Sequence, residues 1–566
     1  MLMFSHLCNK NYITGAEKLL LFVAREMSAH YHCTLVVPEE GQLSILANKS
    51  GISCIIQPCS LFYPMVCPTA TLHADLEYFR SHSEWEQILQ LLQLVRPDVV
   101  FTNTSVHALP AVAAKSMGIP TLWQITETIE NNEFGACAAS LIRLFSDAII
   151  GISETTLQLF IRHSGGGGAQ PPLYILPPSW LEEDLEPHTW PEQRHIRRAQ
   201  LGLLPEHRLV GFVSSSLYAK KGFDHFVPMA LQLCEKDPNA RFLIVGDPSD
   251  TGYVEPLKSQ ITTSAFADRF HFIYFEPHIQ AIYPAMDVVV VPSLVPEGFG
   301  LTAMEGLIFG KAAVAYASGG LFEIFSATGN EAYCVETGNV ARLTSVVHQL
   351  LQQPNRIEMV GARNAEVVRQ TFGIDMFRHR LLTVLTSFVN ANRALYRAIQ
   401  NSQSVIYVED NGRYHPLQHE GQLRERGIST VWRIPDVVFH TLLIGEPLGH
   451  VSTLPLLPIA RAIRTSRVAR RLKKSQARRR GTLLRRSSLR RGKLRRGKRL
   501  NKSKRKRVLR NRAGRLRLRA GSRTRKFPTP LAARKQAGAT SRVQRRIKPS
   551  KRNIRVRRAS TGRPRR

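Results

Sequence analysis

Short apolar runs that alternate with helical patterns constrain this chain more than any other feature in it. MLMFSHL, CTLVVPEEG, RPDVVFTNTS, GIPTLWQITET and SDAIIGISETT each read as a strand. Between them lie stretches of helical periodicity such as GAEKLLLFVAREM, where Ala16, Leu19, Leu20, Val23 and Met27 share one face. Gly15 falls in the loop ahead of that helix. SGGGGAQPP near Ser164 reads as a flexible loop, and LYILPPSW ends the series. The pattern then restarts with HRLVGFVSSSLYAKKGFDHF, ARFLIVGDPSD, RFHFIYFEP, MDVVVVPS and KAAVAYASGG. Such alternation with short connections builds parallel sheets covered by helices on both faces. Two successive α/β units meeting at a cleft are expected. GIDMFRHRLLTVLTSFVNANRALYRAIQ is expected to be a long helix closing the second unit. SVIYVEDNGRYHPL reads as a hairpin turning at Asn411 and Gly412, in a small module of its own.

Charge divides the chain in two. Of its 78 lysines and arginines, 46 lie from Arg461 onward, where no aspartate or glutamate occurs. The remaining 32 basic residues face all 43 acidic ones, so the body carries a net charge of −11 beneath a strongly basic tail. The tail is poor in apolar residues and repels itself, which predicts disorder over 461–566. It should bind polyanions through counterion release, whether an anionic membrane surface, a glycan or a nucleic acid. Phe527 is its only aromatic residue, which argues against base stacking. Eight scattered cysteines without a C-x-x-C pair suggest reduced thiols and a cytoplasmic location, with peripheral attachment at the inner face of a membrane as an option. No cleavable leader or membrane-spanning run is apparent.

The densest signal is PEGFGLTAMEGLIFGKAAVA over 296–315. Val288–Val291 read as a buried strand, 302–309 as a helix, and Gly310 as its stop. The turn made by Gly298, Phe299 and Gly300 therefore joins a strand's C-terminal end to a helix N-terminus. Free N–H groups and the positive end of the helix dipole point the same way there, which makes an anion site. Two carboxylates, Glu297 and Glu305, flank it. That combination suits a ligand carrying both a phosphate and several hydroxyls.

EGFGLTAMEGLIFGKAAVAYASGG, with TGAEKLL, RPDVVFTNTS, GIPTLWQITE, DAIIGISE, GFVSSSLYAKKGFDHF and FLIVGD in this order, resembles the retaining glycosyltransferases of family 4 (glycosyl transferases group 1), over about residues 1–390. The resemblance implies a GT-B fold. This is an α/β architecture of two Rossmann-like doubly wound domains facing a cleft: an acceptor-side domain over 1–185 and a nucleotide-sugar-binding domain over 186–400. A small extra module over 401–460 and the disordered tail over 461–566 would follow. The implied activity is hexosyl transfer from a nucleotide-sugar donor, UDP- or GDP-linked, to a glycan, lipid-linked or protein acceptor, with retention of configuration, in cell-surface glycan or glycoconjugate synthesis. Glu297 would hold hydroxyls of the transferred sugar, and Lys221 would neutralise the departing diphosphate, as the catalytic pair. Glu305 would accept from the ribose hydroxyls. The amides of Gly298, Phe299, Gly300 and Leu301 would face the diphosphate or sugar. Gly15 would let its loop approach the same phosphates. No cofactor or metal is required by the resemblance, and no D-x-D occurs in the sequence.

Two positions depart from the family pattern. Where many relatives carry an arginine five residues before the lysine, this chain has Ser216, at the same donor-binding position. Where many carry a histidine at the end of the TLWQIT strand, it has Thr126, which would contact the sugar through a hydroxyl. Both departures keep open an inactive GT-B-fold binding or scaffold protein whose tail does the work. For an active enzyme, stabilising the charge that develops on the leaving diphosphate is the main task. No carboxylate is nominated for a covalent intermediate, so the resemblance implies same-face transfer in which the departing phosphate helps take the acceptor's proton.

Overall fold

The computed structural model describes residues 1–164, 170–274, 276 and 278–447. The glycine-rich loop at 165–169, the end of the small module from 448 and the basic tail lie outside them. The first sheet has seven parallel strands: β1 (Leu2–Phe4), β2 (Thr34–Val37), β3 (Ser53–Ile56), β4 (Val100–Asn103), β5 (Thr121–Ile125), β6 (Ala148–Gly151) and β7 (Leu173–Ile175). Their order is β3-β2-β1-β4-β5-β6-β7. The second has six: β8 (Arg208–Ser216), β9 (Ala240–Asp247), β10 (Phe270–Ile273), β11 (Val288–Val291), β12 (Ala312–Tyr316) and β13 (Cys334–Val335), in the order β10-β9-β8-β11-β12-β13. Each is a doubly wound Rossmann-like α/β domain.

The valines of β11 explain why such strands sit centrally. Val288 and Val290 pack on one face of the sheet, Val289 and Val291 on the other, and all four are buried. Only a strand covered on both faces reads as a continuous apolar run. Two strands of these sheets escaped the sequence reading. β3 is an edge strand with Ser53 and Ile56 exposed, and β13 is two residues long, so neither carries that signature.

In both sheets the strand order reverses direction beside the first strand, between β1 and β4 and between β8 and β11. Loops leaving the C-terminal ends of strands diverge there and open a crevice, where ligands of open α/β sheets bind. The two crevices face one another and form a single cleft.

The long helix runs Ile374–Ala391 and departs from expectation: it packs against the first domain. Phe377 meets Phe22 edge-on at 4.9 Å, Arg378 pairs with Glu26 at 2.7 Å, and Asn392 Nδ2 donates to the Asp147 carbonyl. The end of the stretch expected to be helical instead supplies β14 (Ala398–Gln400) of a third sheet, with β15 (Ile406–Asp410), β16 (Arg413–Pro416) and β17 (Trp432–Arg433). β15 and β16 form the hairpin, and Asn411 (φ 50°) with Gly412 (φ 83°) makes the left-handed two-residue turn that matches strand twist. This sheet packs beside Pro97, Asp98 and Ile119, which precede β4 and β5. It therefore lies at the strands' N-terminal ends, away from the cleft.

Candidate active site

The cleft encloses about 440 Å³. Of the positions expected to form a site, Gly15, Thr126, Lys221, Glu297, Gly298, Phe299, Gly300, Leu301 and Glu305 all line it. Ser216 does not. β8 ends in a register shift after Val213, and the Ser216 hydroxyl lies 3.4 Å from the Asp247 carbonyl, while Ser214 and Ser215 take the places facing the cleft.

The turn after β11 is set by two different constraints on glycine. Gly300 has φ +112°, a conformation side chains rarely adopt, and a Cβ there would meet Leu321 at 2.5 Å. Gly298 is glycine for space: a Cβ would lie 2.3 Å from the Thr126 carbonyl oxygen of the opposite domain. The helix Leu301–Ile308 that follows has no side-chain cap, so its first N–H groups face the cleft without side-chain partners. Across the cleft, Gly15 is the first residue of the helix Gly15–Met27 and not part of the preceding loop. Thr14 and Glu17 cap that helix reciprocally: Glu17 N–H donates to Thr14 Oγ1 at 3.3 Å and Thr14 N–H to Glu17 Oε2 at 2.8 Å. A Cβ on Gly15 would come within 3.1 Å of Leu301, which shows how closely the two helix starts approach.

The two carboxylates differ in their surroundings. Glu297 Oε1 receives Lys221 Nζ and the Ser293 hydroxyl, both at 2.5 Å. Its backbone is clamped by Ser318 O and by Gly320 N–H. Lys221 and Glu297 thus neutralise one another. Glu305 Oε2 accepts from the Tyr283 hydroxyl at 2.6 Å. Burial raises the Glu305 pKa above the ordinary carboxylate value, and the positive charge of Lys18 opposes that rise. Tyr283 is fully buried and stacks on Phe309 at 5.3 Å, so the phenol is held rigidly under the carboxylate.

Sequence reasoning missed four residues here. Tyr283 and Lys18 are two. The others belong to the first domain: His6, just beyond β1, and Glu127, just beyond β5, both line the cleft. Burial lowers the His6 pKa to about 4, leaving a neutral imidazole whose Nδ1 has no partner among the described residues. Glu127 Oε2 accepts from the N–H groups of Ser105 and Thr126, at 3.0 and 3.2 Å, and burial still raises its pKa. The Thr126 hydroxyl is buried beside the Glu127 carboxylate. The signal available beforehand was positional and partial: His6 and Glu127 follow strands β1 and β5, and Lys18 lies in the first turn of the helix after β1, whereas Tyr283 carries no such signal.

The domains are also tied at the rim. Ser153 Oγ donates to the Gly298 carbonyl at 2.5 Å, and Thr128 Oγ1 to that of Pro296 at 3.2 Å. Glu323 of the second domain accepts from the Glu154 and Thr155 N–H groups at the start of the helix Glu154–Arg162.

This arrangement of amides, carboxylates and a lysine coincides with a family match. Residues 194–367 match the glycosyl transferases group 1 family model. Among curated relatives, D-inositol 3-phosphate glycosyltransferase of Mycobacteroides abscessus is 37% identical over 142 residues, 24% of this chain and 30% of that protein. 2-Deoxystreptamine glucosyltransferase of Streptomyces kanamyceticus is 29% identical over 168 residues, 29% of this chain and 42% of its own length. The chain thus spans less than half the length of either. The whole two-domain fold is matched by the crystal structure of Anabaena HepE in complex with UDP and glucose, at TM-score 0.56 and 19% identity, covering 68% of this chain and 99% of that one. Sucrose-phosphate synthase from Thermosynechococcus elongatus matches at TM-score 0.52 and 16% identity, covering 69% and 99%. The fold is that of the GT-B glycosyltransferases.

Proposed function

We propose that this chain is a glycosyltransferase of the retaining family 4 type, moving a hexose from a UDP- or GDP-linked donor to a glycan, lipid-linked or protein acceptor in glycoconjugate synthesis. The observation that carries this reading is the convergence on one cleft of an uncapped helix start behind a glycine turn, a Lys–Glu pair and a second carboxylate on a rigid tyrosine. Open amides at residues 298–301 suit the diphosphate. Tyr283 occupies Glu305 Oε2, so the ribose hydroxyls would approach the rest of that carboxylate. Glu297 would take hydroxyls of the transferred sugar while Lys221 moves from it toward the leaving diphosphate.

In the reaction the bond from the anomeric carbon to the diphosphate oxygen breaks, and its electron pair stays on that oxygen. Lys221 and the amides of the turn meet the growing charge. The acceptor attacks from the same face, and its proton passes to the departing phosphate. Incubation with a panel of UDP- and GDP-sugars, followed by assay of released nucleoside diphosphate, tests the reading. The matching donor should also raise the melting temperature according to RT ln(1 + [L]/Kd). Absence of both release and shift across the panel would favour the inactive-scaffold reading that Ser216 and Thr126 raise.

The basic tail fits a sequence-blind tether to an anionic surface, with a gain of about 1 kcal/mol per basic residue near anionic lipid. Among the described residues no helix is long and apolar enough to cross a membrane. Truncation after about residue 460 should spare donor turnover and abolish salt-sensitive sedimentation with phosphatidylserine vesicles. Sedimentation that survives truncation would move the tether into the body.

A further inference from the structure

A nucleoside diphosphate brings two to three negative charges into a cleft that is itself acidic. The acidic residues lining it are Glu127, Glu276, Glu297 and Glu305; the lysines are Lys18 and Lys221. Lys221 is engaged by Glu297 at 2.5 Å. Glu276 is answered by Arg197 at 2.9 Å. Ser216 adds no charge and does not line the cleft. Lys18 remains. It forms no ion pair or side-chain hydrogen bond among the described residues, and it is exposed. Its position is set by the backbone: the capped first turn fixes the helix, and Lys18 N–H donates to Thr14 O at 3.0 Å. Lys18 lines the cleft together with Glu305, and its positive charge favours the ionised form of that carboxylate.

Building on the donor-site reading above, we infer that Lys18 is a donor-phosphate ligand, reaching the diphosphate from the wall opposite the turn of residues 298–301 and supplying positive charge that position 216 lacks. The close approach of Gly15 to the Leu301 side chain places the two helix starts on facing walls of the cleft. A lysine suits this place because its flexible stem lets a point charge reach out from the helix toward the phosphates. Because Lys18 belongs to the first domain and the turn to the second, a phosphate bound between them would also hold the domains together.

The experiment is titration calorimetry on the full chain with UDP and GDP and with uridine and guanosine, for wild type, Lys18→Ala, Lys18→Gln and Lys18→Arg, over a sodium chloride series. Loss of one charge-assisted contact from an exposed lysine should weaken the bound diphosphate about tenfold in the Ala and Gln variants. Nucleoside affinity should stay within about twofold, and Lys18→Arg should recover most of the loss. The salt dependence of diphosphate binding should become shallower in the uncharged variants. Equal weakening of nucleoside and diphosphate would overturn the inference and reduce Lys18 to a residue that keeps Glu305 ionised. Unchanged diphosphate affinity would overturn it too. A wild-type protein that binds neither diphosphate would instead remove the donor-site reading, an outcome distinct from any behaviour of the variants.

Discussion

The two walls of the cleft meet an anion in different ways. On the second domain the helix Leu301–Ile308 begins without a side-chain cap, and its amides stay available behind Gly298 and Gly300. On the first, the helix Gly15–Met27 is closed by its own Thr14 and Glu17, and side chains face the cleft instead. Several of those side chains or their neighbours at the ends of β1, β4 and β5 have no hydrogen-bond partner among the described residues: His6 Nδ1, Ser105 Oγ and both polar atoms of Gln124. Backbone recognition fits a phosphate that every donor shares. Side-chain recognition can be changed residue by residue, which suits the partner that varies.

The largest test of this contrast is Lys221→Ala. Lysine and open amides on the second wall should stabilise charge that appears only as the bond breaks, so turnover should fall about 10²–10³-fold while donor affinity falls much less. Normal turnover with weak binding would make Lys221 an anchor, and the wall a ground-state binder. Glu305→Ala comes next. With Oε2 held by Tyr283, about one charged hydrogen bond to the ribose is at stake, worth about 1.5–3 kcal/mol or about 10–100-fold in nucleoside affinity.

The same carboxylate sets a pH dependence. Its pKa lies above the ordinary value, so the ionised acceptor is lost, and nucleoside affinity falls, as pH drops through that raised pKa. This acid limb should begin at higher pH than for an ordinary glutamate and should vanish in Glu305→Ala; a limb that persists in the variant assigns it to another group. The smallest expected effect is Ser216→Ala. With its hydroxyl turned to Asp247 and away from the cleft, donor affinity and turnover should change by no more than about twofold. A larger loss would return position 216 to the second wall.

Much of the second wall was legible in advance. MDVVVVPS could only be a strand covered on both faces, and EGFG ahead of a helix pattern could only be a tight turn delivering amides to a strand's C-terminal end. The hairpin at Asn411 and Gly412 was equally plain, because its turn requires two positive φ angles. The first wall was less legible. His6 and Glu127 follow strands like dozens of other residues, and nothing local marks them. Tyr283 and Glu305 stand 22 residues apart and meet only through folding.

What the sequence determined by itself was local: which segments are strands, that they alternate with helices, and where glycine was needed for a turn. Those follow from periodicity and from backbone sterics, which act over a few residues. Only the tertiary structure decided that Gly298 is glycine because the Thr126 carbonyl of another domain lies against it. It alone sent the helix Ile374–Ala391 back to the first domain, set Ser216 outside the cleft by a register shift, and placed Lys18 in the same cleft as Glu305. These depend on distances between segments far apart in the chain, and burial and charge act through such distances with no regard for sequence order.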